Sequence, residues 1–69
     1  MKVSARNLLK GKVSRVTMGA VNAEIEIELG DGQKVVSIIT INSAKKLGLE
    51  VGKEAYAMIK ASSVMVAVD

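Results

Sequence analysis

The chain has 69 residues and one domain's worth of sequence (residues 1–69), and a chain this short buries only about 60% of the surface its unfolded form exposes. It contains no Cys and no His, which excludes disulfides and thiolate metal sites and removes the commonest metal ligand and general base. A net charge of +3, a hydrophobic content of 49% and a single aromatic, Tyr56, exclude a row of stacking rings for single-stranded nucleic acid. They leave self-association as the remaining route to a stable small domain.

The positive charge is local. Lys2, Arg6, Lys10, Lys12 and Arg15 fall in the first 15 residues, and no Asp or Glu occurs before Glu24. Residues 3–18 read as one long strand with a fault in it. Val3, Ala5, Leu9 and Val13 share one parity while Val16 and Met18 share the other. A two-residue period changes face only through an extra residue, so a bulge near Ser14-Arg15 or a bend at Gly11 is expected. A short helix capped by Ser4 and ended by Gly11 is the alternative.

Gly19-Ala20 turns the chain into its clearest strand. Val21, Ala23, Ile25, Ile27 and Leu29 alternate with Asn22, Glu24, Glu26 and Glu28, giving one dry face and one acidic face. The three glutamates lie in a line rather than a cluster, so they read as a solvated face that the basic first strand can pair across and hold in register. Gly30-Asp31-Gly32 signals a hairpin. Residues 34–41 form a third strand of nearly continuous Val and Ile. Such a run predicts burial on both faces, the outer one by another subunit.

Asn42 is expected to cap a short helix, Ser43 to Leu47, closed by Gly48. A fourth strand runs from Glu54 to Ala61 and a fifth from Val64 to Val68, with a break at Ser62-Ser63. The whole reads as mainly β: a small five-stranded antiparallel barrel of the oligonucleotide- and oligosaccharide-binding type, with one short helix between strands 3 and 4. The amino-terminal residues lack a signal-peptide apolar core, and no apolar run is long enough to span a membrane. A cytoplasmic protein is expected.

Catalysis has little to work with. Hydroxyls are present, but no His can activate them, and no phosphate-loop or dinucleotide glycine pattern occurs. Anion binding is better supplied. Ser4, Ala5, Arg6 and Asn7 put a planar fork of donors beside a hydroxyl and unobstructed backbone, and Lys60, Ala61 and Ser62 repeat that chemistry near the other end. A basic residue beside serines is ordinarily plain surface. Two such stretches, converging within or between subunits, would surround a small oxyanion.

The stretches SARNLLKGKV (residues 4–13), KVVSIITI followed by NSAKKLGL (34–49) and IKASSVMVAVD (59–69) resemble the molbindins, small molybdate-binding proteins of the Mop and TOBE type. The similarity runs through residues 2–68, with Leu8 standing where the family commonly has Gln. The resemblance implies a homohexamer, a trimer of dimers. In it Ser4, Ala5, Arg6 and Asn7 of one subunit would meet Lys60, Ala61 and Ser62 of a neighbour around one molybdate or tungstate. A second class of site near the threefold axis is implied too, with Gly19 and Ser37 as its candidates. No metal cation and no cofactor is implied, because the anion arrives with its oxygens in place. The runner-up function is a nucleic-acid-binding barrel, suggested by fold type and basic pI. A purely structural assembly module is the third.

Overall fold

A computed structural model describes all residues, 1–69. Four strands, β1 (Asn7–Met18), β2 (Asn22–Leu29), β3 (Lys34–Thr40) and β4 (Glu54–Ile59), form one antiparallel sheet in the order β3-β2-β1-β4. A helix, α1 (Ile41–Leu47), joins β3 to β4. The sheet is curled into a half-barrel whose edges, β3 and β4, do not pair.

The long first strand sets this shape. Its first half pairs with β4, from Asn7↔Ile59 to Lys12↔Glu54, and its second half with β2, from Gly11↔Leu29 to Met18↔Ala23. Gly11 and Lys12 pair on both sides. A Cβ at Gly11 would lie 2.4 Å from the Glu28 carbonyl oxygen and 2.9 Å from Ile27 Cγ2, so only glycine admits so close an approach of two strands.

The expected fault in β1 is a bulge. The register skips from Val13↔Ile27 to Arg15↔Glu26, leaving Ser14 as the extra residue. This lets Val13 and Val16, of opposite parity, both face the interior. The Ser14 hydroxyl reaches Glu26 Oε1 at 2.9 Å and the Glu26 carbonyl oxygen at 3.2 Å. Lys34 Nζ lies 3.3 Å from the same carboxylate oxygen. The Ser14 hydrogen bond leads in holding the Glu26 carboxyl below its ordinary value of 4.5; desolvation opposes it, and Lys34 and then Arg15 assist. The basic strand does pair across the acidic one, with Lys12↔Glu28 and Arg15↔Glu26 opposite each other.

Ile25, Ile27 and Ala23 of β2, Val13, Ala57 and Ala44 are the six buried residues. The hairpin after β2 is the expected one. Gly32 has φ +87°, and Asp31 Oδ1 accepts the Gln33 N–H at 3.0 Å.

Three expectations are corrected. First, the helix begins at Ile41 and its cap is Thr40, whose hydroxyl oxygen accepts the Ser43 N–H at 3.0 Å; Asn42 lies inside the helix. Thr40 already has the extended backbone a cap requires, since it ends β3. Gly48, with φ +64°, closes the helix as expected, and Lys53 Nζ donates to the Leu47 and Gly48 carbonyls at 2.6 and 3.2 Å.

Second, the outer strands are shorter than the alternation predicts. The β1–β4 ladder ends at Asn7↔Ile59, so residues 3–6 have no partner, and Ala61–Ser63 form a turn of 3₁₀ helix in place of a strand end. Third, there is no fifth strand and hence no closed five-stranded barrel. Residues 64–68 carry the apolar content of a strand, and Val64 has extended dihedrals, but no edge of the same chain pairs with them. A strand needs a ladder as well as a pattern.

The third strand's predicted second face is left bare. Val35 and Ile39 pack against the core, whereas Val36 and Ile38, on the other side, are 53% and 70% exposed.

Candidate functional site

The β1–β4 ladder stops at one residue pair, and the candidate site lies just beyond it. Asn7 faces Ile59 at this last rung, and its side-chain amide donates to the Ile59 carbonyl at 3.2 Å. Past the clamp the ladder has no further rung: one segment bends at Ser4 and Arg6, and the other turns at Ala61–Ser63. Between them lies an open cleft of about 770 Å³, lined by Val3, Ser4, Ala5 and Arg6 on one side and Met58, Lys60, Ala61 and Ser62 on the other.

Six of the seven primary site residues expected from sequence therefore share one cleft: Ser4, Ala5, Arg6, Lys60, Ala61 and Ser62. They do so within one chain. Asn7 does not line the cleft; its amide fixes the two walls at their base. Val3 and Met58 were not singled out from sequence. Met58 could have been, since it shares the parity of Lys60 along β4.

Ser37 and Gly19, the candidates for a second site, stand elsewhere. Ser37, opposite Ile25 in the β2–β3 ladder, borders two apolar clefts of about 500 and 170 Å³. Gly19 lines neither of these; its N–H donates to the Asn22 carbonyl at 2.8 Å in the β1–β2 turn.

The charges at the main cleft are free to meet a ligand. The chain's two ion pairs are Lys10–Glu54 at 3.5 Å and Lys34–Glu26 at 3.3 Å, and neither uses Arg6 or Lys60. Both cations are exposed, as are Ser4 and Ser62, and Ala5 is half-buried. Two positive groups and two hydroxyls arranged on two walls are suited to hold a small dianion from several directions. The lining holds no His, Cys, Asp or Glu; its polar side chains are Ser4, Arg6, Lys60 and Ser62. No group of three or more His, Cys, Asp or Glu side chains gathers anywhere in the chain.

Comparison with known proteins yields concordant findings. The TOBE domain matches residues 3–66. A probable molybdenum-pterin-binding protein of Haemophilus influenzae is 55% identical over 69 residues, covering 100% of both chains. Among solved structures, MopII of Clostridium pasteurianum superposes with a TM-score of 0.92 at 42% identity, covering 97% of this chain and 100% of its own. The cytoplasmic molybdate-binding protein ModG, in a form with molybdate bound, gives a TM-score of 0.90 at 43% identity, covering 94% of this chain and 46% of its own.

Proposed function

The chain belongs to the TOBE-domain family, as one of its molbindins, and from that premise we propose that it binds and buffers molybdate or tungstate at the subunit interfaces of a homo-oligomer. The observation that carries this reading is the cleft in which unpaired Arg6 and Lys60 face each other's segments beside Ser4 and Ser62. The ligand is the intact oxyanion, with Ser4, Ala5, Arg6, Lys60, Ala61 and Ser62 as its contacts and Asn7 as the clamp beneath them. The role is binding without catalysis.

Two features support an interface location. Four oxygens at the roughly 30 Å³ each that a water occupies in the liquid make about 120 Å³. An open cleft of about 770 Å³ is much larger, and a neighbouring subunit would cover its open side. The chain also leaves Met65, Val66 and Val68 about nine-tenths exposed, together with the outer side chains of β3, and only assembly would cover so much apolar surface. The proposed assembly is a hexamer built as a trimer of dimers, residing in the cytoplasm as ModG does. Gly19 and Ser37 would come together there, from different subunits, in a second class of site.

A pterin conjugate is a poorer fit than the free oxyanion. Tyr56, the one aromatic, lines the apolar clefts and not the cationic one. The nucleic-acid reading is disfavoured on the same ground and by the row of glutamates on β2, which offers a phosphate backbone the wrong charge.

The test is titration of the protein with molybdate and, separately, with a short oligonucleotide, at physiological salt and with a chelator present. Saturable molybdate binding that ignores the chelator is expected. Tight oligonucleotide binding, or molybdate binding that needs added calcium or magnesium, would overturn the reading.

A further inference from the structure

Of the three glutamates on β2, Glu24 is the one with no cation across from it. Glu26 stands opposite Arg15 and pairs with Lys34 at 3.3 Å, and Glu28 stands between Lys12 and Lys34. The neighbours of Glu24 are Thr17 on β1 and Ile38 on β3, and it forms no ion pair. It is exposed on the outer face of the sheet, beside Ile38 and Val36, which are 70% and 53% exposed. This surface is apolar with one unanswered negative charge.

The complementary surface lies at the end of α1. Lys53 Nζ donates to the Leu47 and Gly48 carbonyls, and the Leu49 N–H donates to the Ala44 carbonyl at 3.1 Å. These bonds hold the helix end and the turn after it in one corner. On it Leu47 and Val51 are 58% and 66% exposed, and Lys45 and Lys46 are exposed without an ion pair. Glu50 is the one acid between Lys45 and Lys53, so the corner is net positive. The chain's other cations have tasks elsewhere. Arg6 and Lys60 line the anion cleft, Lys10 and Lys34 form ion pairs, and Lys12 and Arg15 face glutamates across the ladder. Lys2 is left, next to Val3 in the cleft wall.

Resting on the reading that the chain works as a homo-oligomer, we infer that these two surfaces are the halves of one contact between copies. The Glu24, Val36 and Ile38 face of one copy packs on the α1 corner of the next, against Leu47 and Val51. Burial of the apolar side chains drives the association. The charges select the surface, because Lys45 or Lys46 supplies the cation that Glu24 lacks in its own sheet. About a twofold axis the β3 face would instead bring Glu24 towards a second Glu24, and the corner would bring two lysine pairs together. The contact is therefore head to tail. Such a contact closes into a ring or grows as a filament; around the threefold axis of the proposed hexamer it closes after three copies.

Charge reversal tests this, read by sedimentation over a dilution series without molybdate, so that ligand binding plays no part. Glu24→Lys, and separately Lys45→Glu with Lys46→Glu, should each raise the concentration of half-dissociation by roughly tenfold or more. The three reversals combined rebuild the pairing with its sign inverted, and the midpoint should return to within about threefold of the wild type. A purely structural role for these side chains would not give that recovery. The lone chain should keep its fold throughout, since none of the three belongs to the core, and circular dichroism checks it. An unshifted midpoint in either reversed variant, no recovery in the combined one, or unfolding of any of them overturns the contact. A wild type that stays monomeric at every concentration defeats the assembly reading itself, and the inference with it.

Discussion

The double variant Arg6→Ala, Lys60→Ala is expected to lose molybdate binding while keeping its fold. Each side chain contributes a charge-assisted hydrogen bond worth about 1.5–3 kcal/mol, or roughly ten- to a hundredfold in affinity. The single variants should each show that loss. The two charges act on one ligand, so their effects couple and the double variant need not lose the product of the two. The fold should survive because both groups are exposed, neither forms an ion pair and neither belongs to the core. Calorimetric titration gives the affinity, and the unliganded melting temperature reports the fold. Wild-type affinity in both single variants would remove Arg6 and Lys60 from the site, and unfolding would make them structural.

A second large effect is expected where a lone chain forecasts almost none. Ile38 is 70% exposed on the outer face of β3 and stands directly opposite Glu24. In an isolated chain, Ile38→Lys would place a cation across from an unpaired carboxylate, and such a cross-strand pair contributes about 0.2–1 kcal/mol of stability. In an assembly that covers this face, the same substitution deletes a buried side chain worth roughly 1.5–3 kcal/mol and forces a charge into an apolar contact. Sedimentation should therefore show Ile38→Lys dissociating at concentrations where the wild type stays assembled. A variant that sediments like the wild type would mean that this face is not part of the contact.

Much of the fold was legible in the sequence wherever a local pattern fixes it. The alternation from Val21 to Leu29 and the glycines at 30 and 32 define β2 and its hairpin, and the parity change between Val13 and Val16 gives the bulge at Ser14. The parts that misled depend on partners. Residues 64–68 have a strand's composition, but pairing is decided by an available edge, and no edge of the same chain takes them. Thr40 reads as the end of a β-branched run, and its second role as helix cap emerges only from the backbone it shares with β3.

The site shows the same division. Charge and hydroxyl content single out Ser4–Arg6 and Lys60–Ser62 in sequence. That they form two walls of one cleft follows from the Asn7↔Ile59 rung, a pairing across 52 residues that no local pattern encodes.

The central claim is that assembly completes the oxyanion site. A ligand bound only by the assembled state stabilises that state by mass action, so molybdate and subunit association must be linked. Native mass spectrometry over a dilution series, with and without molybdate, tests this most directly. The predicted result is an oligomer that carries intact oxyanions and resists dissociation on dilution when molybdate is present. A folded monomer that binds molybdate on its own would contradict the account.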